Sequence, residues 1–165
     1  MIFVTLGTHE SPFSRLIGAL EGLPRDEQLV VQHGSSPPGP AWATCVDFMP
    51  FDEIAAHIRE ARAVVAHAGV GSIMTALASE KRPLVMARLR RFGEHVDDHQ
   101  LSLARRLDAI GLVKLVEEPE ELPRAVARDV AAPSRLLPAH RLSDELRSYL
   151  AAEIGTVPRA PVAHV

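Results

Sequence analysis

The segment His67-Ala68-Gly69-Val70-Gly71-Ser72 has the residue types and order of an anion site. It follows the short apolar run Ala63-Val64-Val65-Ala66 and leads into a helical pattern that starts near Ser72. The first N–H groups of a helix have no intrahelical partners, and glycines let an oxyanion come close to the backbone. His67 adds a side-chain donor within reach of a phosphate oxygen. The combination points to a nucleotide ligand.

Other chemistries fit less well. A dinucleotide fingerprint needs G-x-G-x-x-G after the first strand, with an acidic residue further on. Here Met74 stands at the third glycine position, and the turn follows the fourth strand-like run. A P-loop would end in G-K-[ST] and a serine nucleophile elbow would read G-x-S-x-G; neither occurs at this turn. His95 and His99 stand at i and i+4, the spacing of two metal ligands on one helix face, but Val96 occupies the position where zinc proteases carry Glu. The plainer reading of that stretch is a helix start capped by Asp97 or Asp98. No metal is assigned on this basis.

These residues need a frame. Ile2–Leu6, Gln28–Gln32, Thr44–Phe48, Ala63–Ala66, Pro83–Ala87 and Leu112–Val116 read as short buried strands. Between them run helical stripes: Phe13, Leu16, Ile17 and Leu20; Phe51, Ile54, Ala55 and Ile58; Ser72–Ser79; Leu101, Ala104 and Leu107 from about Asp97; and Leu122, Ala125 and Val126 within 120–130. A last helix is expected over 143–153, with Leu146, Leu150 and Ile154 on one side as a candidate docking face, and the Pro/Ala-rich end 155–165 as a loose tail. Alternating strands and helices give an α/β fold, a single Rossmann-like domain with a parallel sheet spanning 1–154. Ligands of such sheets bind at the carboxyl ends of the strands. Gly7–His9, Phe48–Phe51, His67–Ser72 and Arg88–Gln100 all fall there.

Composition narrows the class further. The 165 residues are 47% hydrophobic and 24% charged, with a net charge of −3. That is an ordinary globular balance, without the basic excess of a nucleic-acid binder. The single cysteine, Cys45, excludes an internal disulfide and favours a reducing cytoplasm, where it serves as a small apolar strand residue. No apolar run approaches the ~20 residues of a membrane span. Met1-Ile2-Phe3-Val4-Thr5 reads as a strand rather than as a leader.

The set His67-Ala68-Gly69-x-Gly71-Ser72-Ile73, the arginine-rich loop after it and Asp98-His99-Gln100 resembles the donor-binding half of GT-B glycosyltransferases, most closely the glycosyltransferase family 28 C-terminal domain. The opening Val4-Thr5-Leu6-Gly7-Thr8, with Phe13 after it, resembles the same family, and the likeness covers about residues 1–115. Within the family the chain is similar to split enzymes: the PssE/EpsE type of exopolysaccharide subunit and the catalytic subunit of the dolichol-linked N-acetylglucosaminyltransferase. The resemblance implies a UDP-sugar donor, no cofactor, and an inverting hexosyl transfer to a lipid-linked sugar acceptor. It also implies a membrane-anchored acceptor-binding subunit that supplies the base and holds this chain at the cytoplasmic membrane face.

Roles follow position by position. His67, as the catalytic group, and the backbone of Gly69, Gly71 and Ser72 would hold the diphosphate. Gly7, Thr8 and His9 would approach it from the first loop. The turn at Phe48 and Met49 would take the uracil, with Phe48 or Phe51 on the base. His99 and Gln100 would read sugar hydroxyls. Many relatives carry a ribose-binding Glu where this chain has Thr75, whose hydroxyl bonds singly and without charge assistance. Arg88, Arg90 and Arg91 with Glu94 admit three readings: a site for a sugar carboxylate, as in UDP-glucuronate; a solvated basic loop; or a contact with a partner or anionic lipid. Against the transferase stands a rival from another class, a non-catalytic nucleotide-sugar-binding regulatory module.

Overall fold

The computed structural model describes residues 1–129. The expected helix over 143–153 and the tail 155–165 lie outside them. Six strands form one sheet: β1 (Ile2–Thr5), β2 (Leu29–Gln32), β3 (Thr44–Val46), β4 (Ala63–His67), β5 (Leu84–Met86) and β6 (Lys114–Leu115). All neighbouring pairs are parallel, in the order β3-β2-β1-β4-β5-β6. The helices are α1 (Ser14–Ala19), α2 (Phe51–Glu60), α3 (Val70–Ala78), α4 (His99–Ala109) and α5 (Leu122–Asp129).

The alternation along each strand sorts the core into two layers. Ile2, Val4, Leu29, Val31 and Val65 face Phe13, Leu16 and Leu20 around α1, and Leu122 and Val126 of α5. Phe3, Val30 and Val64 face the other way, onto Ile58 of α2 and Ala76 of α3. Burial on both faces explains why β1, β2, β4 and β5 read as continuous apolar runs. Cys45 is half-buried in β3 and packs against the first layer.

Several expected boundaries shift. The third strand stops at Val46, because the Asp47 side chain accepts the Phe48 N–H at 2.7 Å and turns the chain early. α3 begins at Val70 rather than Ser72, so Gly69 is its N-cap and Gly71 lies in its first turn. On α4 the inward residues are Leu103, Ala104 and Leu107, with Leu101 only half-buried. Phe51 opens α2 but stays 72% exposed, outside the core stripe. A 3-10 turn at Pro119–Glu121 precedes α5, where Leu122 and Val126 are buried and Ala125 only partly.

The strand order places the site. The chain winds outward from β1 through β2 to β3, then returns to lay β4 on the other side of β1. A crevice opens where the winding reverses, above the carboxyl ends of β1 and β4. The loops leaving those two strands carry Gly7 and His67.

Candidate functional site

A cleft of about 370 Å³ opens at this point, lined by Gly7, Thr8, Phe48, Met49, His67, Gly71, Ser72 and Thr75 among others. Eight of the residues expected at the site are thus brought together. Gly69 adjoins them as the N-cap of α3. His9, Arg90, His99 and Gln100 lie outside the lining.

His67 ends β4 with its ring caged between two glycines. A Cβ on Gly69 would stand 2.2 Å from His67 Nε2, and one on Gly7 would stand 2.6 Å from its Cε1. Both positions therefore exclude any side chain while the imidazole is there. Gly7 also has φ +72°, a conformation other residues adopt only at a cost. Burial holds the His67 pKa down to about 4, and the nearby Arg88 charge pushes the same way. At neutral pH the ring is uncharged, with one nitrogen a hydrogen-bond donor and the other an acceptor.

α3 points its N-terminus into the same space. Its N-cap, Gly69, has no side chain to satisfy the first N–H groups, and the first turn carries no acidic residue. Those N–H groups and the positive end of the helix dipole are left to a ligand. The Thr75 hydroxyl donates to Gly71 O at 2.8 Å, so toward a ligand it offers acceptor lone pairs.

Two lining residues escaped the sequence reading. Gln32 and Thr5 are register partners at the ends of β2 and β1, and both are buried. Thr5 Oγ1 donates to Gln32 Oε1 at 2.8 Å, while Gln32 Nε2 donates to Gly7 O at 3.1 Å and Asp47 O at 3.0 Å. This amide ties together the loops on either side of the cleft. The available signal was a polar residue closing each apolar strand. Phe48 and Phe51, 67% and 72% exposed, also line the cleft.

This geometry fits what the chain is similar to. The model of the glycosyltransferase family 28 C-terminal domain matches residues 1–153. The chain belongs to that family. The fold is the C-terminal half of a GT-B glycosyltransferase. CalG4, the calicheamicin glycosyltransferase, is similar at a TM-score of 0.59 and 19% identity, over 94% of this chain and 43% of its own. The glycotransferase of kitacinnamycin has a TM-score of 0.61 and 22% identity, over 90% of this chain and 39% of its own. The glycosyltransferase VinC, solved with dTDP, has a TM-score of 0.55 and 20% identity, over 93% and 39%. The chain thus spans about two-fifths of the length of these structures. A search of curated proteins finds no match.

In this family member the arginine loop is partly internal. Arg88 is 1% exposed, its guanidinium 4.7 Å above the Phe13 ring. It donates to Ser11 O at 2.8 Å, Leu6 O at 3.0 Å and Glu94 O at 3.4 Å. Glu94, 3% exposed, takes a two-point contact from Arg15 and accepts the Leu89 N–H at 2.9 Å. Arg88 and Glu94 are therefore committed to the fold, which removes them from a carboxylate-binding set. Arg90 is exposed and its N–H donates to Asp98 Oδ1, while Arg91 lies over the Phe92 ring and lines a separate cavity. Gln100 is 5% exposed, with its Oε1 accepting the Arg88 N–H at 3.2 Å. At the start of α4 it is Asp97, not Asp98, whose side chain accepts the His99 N–H. The His9 ring packs on His95, with centroids 4.8 Å apart.

Proposed function

We propose that this chain is the donor-binding half of a glycosyltransferase, acting on a UDP-sugar together with a separate acceptor-binding chain. The observation that carries the reading is the caged His67 facing the uncapped N-terminus of α3 at the sheet's winding reversal. A diphosphate fits there: neutral imidazole N–H, free helix N–H groups and a dipole worth ~0.3–1 kcal/mol converge on one anion. The same donors stabilise charge that develops on the leaving diphosphate during transfer. Phe48 and Phe51 offer faces for a base, and Thr75 accepts from a ribose hydroxyl.

A second half is supported by where apolar surface remains. Among the described residues, the exposed large hydrophobics are Phe48, Phe51, Val70, Phe92 and Val96. Each follows a strand's carboxyl end, on the edge of the sheet where the cleft opens, and Phe48 and Phe51 line the cleft itself. In this reading a partner covers that edge. The partner in this reading carries the acceptor site, the base and the membrane anchor, and the acceptor is a lipid-linked sugar. No helix among the described residues is long and apolar enough to cross a membrane.

The test is calorimetric titration with UDP, UDP-glucose, UDP-glucuronate, UDP-N-acetylglucosamine, dTDP and NAD, with His67→Ala as control. Binding of a uridine ligand that weakens in the variant supports the donor site. Preference for NAD, or binding indifferent to His67, refutes it. Sugar transfer reconstituted with a partner chain separates the enzyme from a regulatory module that only binds.

A further inference from the structure

His95 and Asp97 on the loop after β5 and His99 at the first position of α4 lie outside the lining of the donor cleft, and among them only His99 was expected at the donor, as a reader of sugar hydroxyls. Each presents one ligand atom, and the three atoms lie within 4.8 Å of one another. Asp97 Oδ1 is 3.3 Å from His95 Nδ1 and is hydrogen-bonded to His99 Nδ1. The two imidazole rings stand edge to face with centroids 4.7 Å apart. His95 Nδ1 is buried and forms no hydrogen bond, although its ring is fixed from behind by the ring of His9. His9 is itself anchored, its Nδ1 accepting the Ser11 N–H at 3.1 Å.

We infer that His95, Asp97 and His99 form a three-ligand site for a borderline divalent cation of the zinc class. Two imidazole nitrogens and one carboxylate oxygen select such ions over magnesium or calcium, which prefer all-oxygen shells. A tetrahedral centre with bonds of about 2.0–2.1 Å spaces its ligand atoms about 3.4 Å apart. The His95–Asp97 pair already has that spacing. The Asp97 and His99 side chains, 56% and 41% exposed, can turn to complete the set, whereas His95, 13% exposed, stays in place. An ion there satisfies the orphaned His95 nitrogen and leaves a fourth position open to solvent or an anion.

The experiment uses the untagged full chain, stripped with a chelator, and Zn²⁺ titrated in competition with a chromophoric indicator. One ion per chain is expected. Asp97→Asn should weaken binding about tenfold or more, and His95→Ala with His99→Ala should abolish it. His33→Ala, remote from the cluster, and His9→Phe, which keeps the stacked ring, should leave it intact. Co²⁺ in place of Zn²⁺ should give a visible absorption band that Asp97→Asn alters, and circular dichroism checks that each variant folds. No Zn²⁺ binding, binding unaffected by the His95 and His99 changes, or loss in His33→Ala would each overturn the site. Donor titrations in excess chelator keep a failure here distinct from a failure of the donor reading.

Discussion

The cage around His67 makes a quantitative prediction about Gly69. In Gly69→Ala the new Cβ would lie 2.2 Å from His67 Nε2 and 2.8 Å from its Cδ2, where ordinary contact begins near 3.4 Å. The ring must give by about an ångström, and its Cε1 and Nε2 already fill the space of the missing Gly7 Cβ. Overpacking of this kind costs ~1–3 kcal/mol, and the crowding of the ring against both glycine positions puts the value in the upper half of that range. Backbone effects nearly cancel. Gly69 has φ −78°, which alanine adopts freely, so the entropy gained (~0.4–1 kcal/mol) offsets the poorer N-cap. The cost should therefore belong to the His67–Gly69 pair. In a His67→Ala background, Gly69→Ala should change stability by less than ~0.5 kcal/mol, giving a coupling of ~2 kcal/mol or more in the double-mutant cycle. Gly7→Ala behaves differently: its positive φ keeps a penalty of ~1–2 kcal/mol even without the ring. Urea denaturation followed by circular dichroism measures all six proteins, and UDP affinity should fall with stability in Gly69→Ala. An unchanged midpoint in Gly69→Ala, or an equal cost with and without His67, refutes the cage.

Two further predictions concern charge. Because burial holds His67 near pKa 4 against an ordinary 6.5, the unfolded chain takes up a proton in that interval that the folded chain refuses. The stability this residue permits is intact above about pH 6.5 and is lost as pH falls toward 4, by at most ~3 kcal/mol. His67→Gln should flatten that part of the stability–pH curve, and an unchanged slope would contradict the assignment. Arg88→Met should cost ~3 kcal/mol, since it strands the buried Leu6 carbonyl and the half-buried Ser11 carbonyl, while Arg90→Ala and Arg91→Ala should stay within ~0.5 kcal/mol. Thermal or urea denaturation distinguishes these, and equal effects would mean that Arg88 is not the internal clamp.

The parallel sheet was readable because the strands buried on both faces, β1, β2, β4 and β5, are apolar runs that stand between helical stripes, with the partly exposed β3 and β6 at the edges. The crevice followed from the same logic, since parallel strands bring every βα loop to one edge. What the sequence could not convey was pairing across distance. Arg88 looks like one more member of a basic loop, yet its acceptors, Ser11 and Leu6, lie 77 and 82 residues away. Its burial follows from the carbonyls that the turning β1–α1 loop leaves without partners. Gln32 reads as the polar end of a strand, and only its register with Thr5 turns it into a clamp between loops. Phe51 falls on an apolar helical stripe, but its place on the first turn of α2 carries it past the core edge.

The start of α3 is where the sequence departs most from what folding alone would favour. Serine or aspartate at the N-cap would improve on glycine by a few tenths of a kcal/mol, and an acidic first turn would complement the dipole. This chain places glycine at the cap and a second glycine, Gly71, in the first turn, where its backbone freedom costs up to ~1 kcal/mol. It then buries an uncharged imidazole beside them. A side chain at position 69 is excluded by His67, and an acidic group in that turn would repel a diphosphate. Position 71 has no such steric limit, for a Cβ there meets nothing within 4 Å. Its glycine is therefore unexplained by packing among the described residues, and the proposed donor site supplies a reason: a diphosphate that approaches the backbone from the cleft. Gly71→Ala should accordingly leave stability equal or slightly improved while weakening UDP binding, the reverse of the pattern at Gly69, where packing and binding fail together.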